Sequence, residues 1–383
     1  MKYIWTIAIS IIIFSKAHSQ QNPIDVGDID GNNNAIPIAV PFLTFGTDSR
    51  ATGMGDIGVA TSPDINSTHW NNAKYAFIED NIGFSLSYSP WLKKLTDDMV
   101  VNYVSAFKKI APNQTVAMSM KYFDLGEINL TDNNGQSLGV ENPREAAVDV
   151  TYARSLAQNF SLGISFRYIW SNIAGHSTGA TDVGAGKSFA ADVGAYYRKP
   201  LKLKGLDSEI SFGLHLSNIG QKITYTSQEN EDFLPANFRI GTAWRIELDP
   251  YNSITVAIDV NKLMVPTPPI IDEETGEIIK GEDPDKPLLS GTFGSFTDAP
   301  GGFSEELKEF ICSFGTEYWY RDLFSVRGGY FQESKNKGDR KYFSAGLGLR
   351  YQVFGLDISY LIPKEQNHPL GQTLRLSLLF NLN

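Results

Sequence analysis

The stretch Phe160-Ser161-Leu162-Gly163-Ile164-Ser165-Phe166-Arg167-Tyr168-Ile169-Trp170-Ser171 carries a large apolar side chain at every even position. Odd positions are small, polar or charged, Ile169 excepted. A repeat of two sends alternate side chains to opposite faces of a β-strand. The stretch is about as long as a tilted membrane-crossing strand, roughly 9–11 residues. Aromatics crowd one end, as in an interfacial girdle. A soluble sheet can alternate in the same way, so the decision rests on recurrence and on the lengths of the connections.

From residue 81 onward about fourteen segments repeat the pattern: 81–89, 98–108, 114–124, 145–155, 160–170, 188–198, 208–217, 236–247, 252–262, 310–320, 323–331, 341–351, 353–361 and 373–382. Mid-strand charges keep to the face opposite the apolar one, including Lys121, Arg167, Asp192, Arg239, Arg245, Asp259, Glu317, Arg327, Arg350, Asp357 and Arg375. An Arg or Lys on a lipid face costs roughly 2–4 kcal/mol at the bilayer midplane. Connections alternate in length. Short ones are expected at 109–113, 156–159, 248–251, 321–322 and 352, with 199–207 the longest of that set. Long ones fall at 125–144, 171–187, 218–235 and 263–309. Short periplasmic turns facing long outer loops are the habit of bacterial barrels. In hydrocarbon no sheet edge can stay unpaired, so the last strand must close on the first. The expected fold is an all-β, closed transmembrane antiparallel barrel.

Bulk composition fits that reading. The 383 residues are 42% hydrophobic with a mean hydropathy of −0.20, too polar for a helical membrane protein. Lumen-facing residues of a barrel dilute the apolar ones in this way. A net charge of −10 without a basic run excludes nucleic acid as a partner. The sole cysteine, Cys312, excludes an intrachain disulfide. Residues 1–19 read as a secretory signal: Lys2, an apolar core over 3–14, and Ala17-His18-Ser19 as the cleavage site. No cysteine follows that site, which excludes a lipoprotein, and no later apolar run approaches ~18 residues. The expected location is the outer membrane, with lipid around the barrel.

Residues 20–80 form the expected N-terminal periplasmic or plug segment, and 81–383 the barrel. The first part, 20–39, is rich in Asn, Asp and Gly. The next, 40–73, is dominated by small residues and suits neither a strand nor a long helix. Gly53-Met54-Gly55-Asp56-Ile57-Gly58 matches G-x-G-x-x-G literally. It lacks the flanking strand and helix of a dinucleotide site. Gly53, Gly55 and Gly58 are expected instead to let the chain lie close to the barrel wall. Arg50 and Asp56 are expected to pair with lumen charges, Trp70 to belong to the same segment, and His69 to be a packed polar residue. No cofactor, metal or catalytic residue is expected. Gly175-His176-Ser177-Thr178-Gly179 matches G-x-S-x-G but sits in a loop between strands, not at a strand-to-helix elbow. The histidines after the leader, His69, His176, His215 and His368, show no metal-ligand spacing. His215 is expected to be a hydrogen-bonded lumen residue. Asp192, Asp259 and Glu317 are expected to be neutralised by arginines of other strands. Loop 263–309 holds Pro266, Pro268 and Pro269, the acidic run Asp272-Glu273-Glu274, and a Gly-rich run with Phe293, Phe296 and Phe303. It reads as a solvated flap or as a partner-binding arm carried by those phenylalanines. The acidic run matches no calcium loop.

The run FLTFGTDSRATGMGDIGVATS, followed by STHWNNAK, resembles the N-terminal signature of the PorV family, barrel components of the type IX secretion system. It resembles the FadL-type fatty-acid transporters more distantly. Leu216-Ser217-Asn218-Ile219-Gly220, Leu234-Pro235 and the Pro-rich segment after Asn261-Lys262-Leu263 extend the likeness. The chain departs in having Trp70-Asn71-Asn72 where that superfamily usually has Asn-Pro after the tryptophan. It also ends in Asn383, not in an aromatic. The resemblance implies a fourteen-strand FadL-like barrel that conducts no cargo. Its partners would be the large translocon barrel, the C-terminal signal domains of secreted cargo, and a surface attachment complex that includes a signal peptidase. The alternatives are a transporter of hydrophobic small molecules and a lipopolysaccharide deacylase using His176 and Ser177.

Overall fold

A computed structural model describes residues 34–131, 134, 136–173, 184–225, 231–272, 274–365, 371 and 373–382. The leader, the start of the lead segment, His176, Ser177, His368 and Glu273 lie outside the described residues.

Fourteen strands close into one antiparallel barrel, each paired with its neighbours in sequence. They are β1 Ile82–Pro90, β2 Val100–Ala111, β3 Gln114–Asp124, β4 Arg144–Ala157, β5 Phe160–Asn172, β6 Gly186–Leu203, β7 Leu206–Gly220, β8 Asn237–Asp249, β9 Asn252–Leu263, β10 Ile311–Tyr320, β11 Phe324–Gln332, β12 Lys341–Tyr351, β13 Phe354–Pro363 and β14 Leu374–Leu382. Closure runs from Ile82 opposite Leu382 to Tyr88 opposite Leu376. Every expected strand is present, and the closing pair is the one that the solvent argument requires.

The two faces of β5 show why the alternation was decisive. Phe166 is 65% exposed on the outer face, whereas Arg167 beside it is 6% exposed inside. The same division holds for Met118, Phe212 and Phe314 outside against Lys121, His215 and Glu317 inside. An apolar exterior with ionic residues enclosed is the arrangement that lipid demands. No helix among the described residues is long and apolar enough to cross a membrane. The chain is an outer-membrane β-barrel.

One expected connection is corrected. Residues 199–207 are not a loop: β6 runs to Leu203 and β7 starts at Leu206. Lys204 (φ 49°) and Gly205 (φ 90°) make the turn in the left-handed region, as a two-residue hairpin requires. Lys202 faces Asp207 across the pair at 3.5 Å. Lysines that read as loop are thus paired strand residues.

The barrel interior is layered. At the long-loop end Val101, Phe123, Ile169, Phe331, Tyr342 and Leu361 form an apolar ring with Val40, Phe42 and Leu43 at its centre. Towards the short turns Phe107, Ala117, Ala153 and Leu379 pack on Ile65, Tyr75 and Ile78. Ionic groups fill the space between.

Candidate functional site

The barrel encloses its own chain. Residues 40–78 fold as a string of short turns against the inner wall: a 3-10 turn Pro41–Thr44, α1 Ser49–Gly53, α2 Ser67–Trp70 and a 3-10 helix Asn72–Phe77. Such short helices cannot satisfy their own terminal groups, so the wall does it. Lys121 of β3 donates to the carbonyls of Phe42, Leu43 and Phe45 at 3.2, 3.1 and 2.9 Å. Asp48 caps α1 through the Ala51 N–H at 3.0 Å and also accepts the Trp70 indole N–H at 2.6 Å. Burial, with Asp64 nearby, pushes the Asp48 carboxyl up to about 6. Ser377 of β14 accepts from the Ser49 N–H at 2.9 Å. Asn71 caps the last turn and Asn72 opens it, the position where proline is favoured.

Glycines on both sides allow the close approach. A β-carbon at Gly53 would lie 3.2 Å from the Gly346 Cα of β12, and one at Gly55 2.8 Å from the Tyr330 nitrogen of β11. Gly58 differs from expectation. Its neighbour is the Trp70 ring within the same segment, not the wall. The sequence reading missed the wall's own contribution. Side chains at Gly163, Gly194, Gly213, Gly315 or Gly329 would overlap the backbone or side chains of Val59, Asn72 or Met54. An inward-facing glycine on a period-two strand looks like any small lumen residue, so nothing flagged them.

Two ionic chains run through the lumen: one holds the segment and the other joins three strands of the wall. In one, Arg50 grips Glu317 at 2.8 Å and Asp64 at 3.0 Å. Glu317 also holds Arg327 at 2.7 Å, which reaches Asp357 at 2.8 Å, and Arg350 closes the series on Asp357 at 2.7 Å. In the other, Arg167 lies between Asp149 at 2.6 Å and Asp192 at 3.0 Å. Asp56 faces Arg375 at 3.8 Å and accepts from the Tyr342 hydroxyl at 2.5 Å. Two expectations are corrected. Asp259 accepts the N–H groups of Gly58 and Val59 at 2.8 and 3.0 Å, not an arginine. Neither ring nitrogen of the buried His215 has a hydrogen-bond partner among the described residues. Lys74, fully buried, donates to the Gly58 carbonyl at 2.8 Å, and burial lowers its pKa.

Below this segment, at the short-turn end, a cavity of about 500 Å³ remains. Arg50, Arg198, Arg245 and Arg350 line it, with a larger number of carboxylates that includes Asp64, Glu79, Asp80 and Glu247. This lining interleaves charged side chains with apolar ones such as Phe77, Ile78, Trp319 and Leu379. No cluster among the described residues could hold a metal ion.

The long outer loop is folded. It carries a hairpin pairing Ile270–Ile271 with Ile278–Lys280, then α3 Leu288–Gly294 and α4 Phe303–Glu306. Its base is a buried ionic knot. Lys262 of β9 contacts Glu309 and Glu306, the latter at 3.1 Å, and Lys337 contacts Glu305 and Glu309 at 2.6 and 2.9 Å. Asp272 of the acidic run accepts the N–H groups of Glu274 and Thr275, so it builds a turn. The three named phenylalanines part company. Phe296 packs edge-on against Phe238 at 6.0 Å, whereas Phe293 and Phe303 are exposed, Phe303 by 77%. Leu289 and Leu307 share their exposure, as do Ile270, Ile271, Ile278 and Ile279 of the hairpin. The isoleucine pairs were legible as two Ile-Ile steps flanking a turn but were passed over.

Comparison with solved structures returns barrels of the same architecture. The Pseudomonas putida toluene transporter TodX matches with a TM-score of 0.51 at 10% identity, covering 88% of this chain and 99% of that one. A Pseudomonas aeruginosa FadL homologue matches with a TM-score of 0.45 at 11% identity, covering 91% and 100%. At these identities TodX speaks for the fold alone. No curated protein matches. A family model described as type IX secretion system protein PorV matches residues 28–270. That span takes in the lumen segment and the first nine strands. The chain belongs to the PorV family of type IX secretion system proteins.

Proposed function

We propose that this protein is a non-enzymatic, cargo-handling component of the type IX system that works from its outer rim. It binds the large translocon barrel, captures the C-terminal signal domains of secreted proteins, and hands them to a surface attachment complex that includes a signal peptidase. The carrying observation is that the chain's own residues 40–78 occupy the lumen above the short-turn cavity while apolar side chains are exposed on the long outer loop. Residues 20–80, with Arg50, Gly53, Gly55, Asp56, Gly58 and Trp70 at their core, act as the plug of an 81–383 barrel, after loss of a leader over 1–19. Phe293 and Phe303, with the isoleucine hairpin, make the partner contact; Phe296 packs against Phe238 of the wall. Large exposed apolar side chains gathered on one surface are the usual mark of a protein interface.

The transporter reading needs a predominantly apolar lumen pocket; the 500 Å³ cavity has apolar walls in part, but the arginines and the more numerous carboxylates that share its lining speak against a hydrophobic cargo. The deacylase reading rests on His176 and Ser177, outside the described residues. A photo-crosslinker placed at Phe293, Phe303 or Ile279 in living cells tests the proposal. Adducts with a very large outer-membrane barrel or with cargo C-terminal domains are expected. Adducts with lipid only, together with normal surface display after Phe303→Asp, would sink it.

A further inference from the structure

Two internal cavities of about 10 Å³ each meet at His69, between the enclosed segment and the wall. Each is at the lower limit of room for one small species, and the two adjoin there. The first cavity is bordered by His69, Arg167, Asn218 and Arg239 and by no carboxylate. Arg167 is already held by Asp149 and Asp192. Arg239 is not held in this way. It is 7% exposed and forms no ion pair among the described residues. Its Nε faces the Asn237 side-chain amide at 2.9 Å. Its guanidinium lies 5.1 Å from the Trp70 ring centre. Its Nη1 has no hydrogen-bond partner among the described residues, and neither does Nε2 of His69.

Lys74, Lys121, Arg167 and Arg239 are buried here with Asp48, Asp149, Asp192 and Asp259, but among the described residues only Arg167 of these cations has a carboxylate within ion-pair distance. Asp259 spends one oxygen on the Gly58 and Val59 N–H groups and stays beyond ion-pair distance of Arg239. A buried guanidinium with no carboxylate in contact is disfavoured, and a neutral water compensates it less than an anion does. An anion in the cavity accepts from Arg239 Nη1 and from His69 in the tautomer with the proton on Nε2.

We propose that the cavity between His69 and Arg239 holds a monovalent anion of halide size, which ties β8 of the wall to α2 of the enclosed segment. Crystals of the full-length protein grown with bromide in place of chloride test this directly. An anomalous peak beside Arg239 Nη1 is expected. In parallel, detergent-purified protein at about 0.15 M salt should melt about 2 °C or more higher in chloride than in gluconate. Arg239→Gln should lose that difference. A cavity holding water alone, an Arg239–Asp259 ion pair in its place, or equal melting in the two salts overturns the proposal. The bromide experiment stands even where the variant fails to fold.

Discussion

Glu317→Ala removes the carboxylate on which the enclosed segment and the wall converge. Glu317 accepts from Arg50 Nε and Nη2 at 2.9 and 2.8 Å and from Arg327 Nε at 2.7 Å, and it is 1% exposed. Removing one partner of a buried pair costs about 3–5 kcal/mol, because the surviving charge is left without compensation. Here each survivor keeps a second partner. Arg50 retains Asp64, and Arg327 retains Asp357, which it shares with Arg350. The lower end, about 3 kcal/mol, is therefore expected for Glu317→Ala. Glu317→Gln keeps an acceptor oxygen and should lose about 2 kcal/mol. A loss of 3 kcal/mol is a change of roughly 100-fold in the folding equilibrium, easily read from urea unfolding in lipid vesicles by tryptophan fluorescence. Arg50→Met, alone and combined with Glu317→Ala, completes a double-mutant cycle, whose coupling should exceed about 1 kcal/mol. A loss below about 0.5 kcal/mol with additive effects would refute the claim that this ionic chain anchors the segment.

Other perturbations bear on the same architecture. Gly329→Val drives a side chain into the Met54 backbone; it should cost up to about 3 kcal/mol and raise ion conductance in planar bilayers. Gly184→Ala, with nothing near its added carbon, should stay within about 0.5 kcal/mol of the parent. Lys262→Met leaves Glu306 and Glu309 facing each other with one fewer cation, and limited proteolysis within 264–310 should accelerate while the barrel stays folded. Asp48 carries a raised folded pKa, about 6 against 3.8, so the folded state binds its proton more tightly than the unfolded state does. Its contribution to stability is full below about pH 4 and is lost as pH rises through about 6; Asp48→Asn should flatten that part of the stability profile. Ser49 and Ser377 have hydroxyl oxygens 3.2 Å apart. A Ser49→Cys, Ser377→Cys disulfide should leave secretion intact, and abolished secretion in the oxidised protein would show that the segment has to move.

The sequence shows the barrel because membrane strands leave a face-by-face record. Each charge from Lys121 to Arg375 had to sit on one parity, and period two makes parity readable. It also shows Arg50 and Asp56 as charges in a segment rich in small residues, though not the parts taken by Asp48 and Asp64 of the same segment. What it hides depends on distance between segments. Asp259 reads as a partner for arginine until the Gly58 and Val59 N–H groups are seen at its oxygen. Gly213 and Gly329 read as filler until Val59 and Met54 are placed against them. Residues 199–207 read as loop because Lys202 and Asp207 pair only across the turn that joins them. The outer loop keeps its fold for the same reason. Lys262 and Glu309 are far apart in the chain, and nothing local announces that they meet.

The occupied lumen and the exposed rim follow from one another. A fourteen-strand barrel without contents leaves inner-wall groups to water. Here those groups are spent on residues 40–78: Lys121 on three carbonyls, Glu317 on Arg50, Asp259 on two N–H groups, Ser377 on Ser49. Breaking even one buried ionic member costs about 3 kcal/mol, as much as the upper end of an ordinary coupling between two binding sites, about 1–3 kcal/mol. A partner docking at the rim therefore cannot withdraw the segment by binding alone, since several such contacts break together. The outer loop has the opposite energetics. Its apolar side chains already face water, so a partner that covers them gains about 25 cal/mol for each Å² of apolar surface buried, with no lumen contact broken. The barrel is consequently suited to hold its interior fixed while its long-loop end engages and releases other proteins.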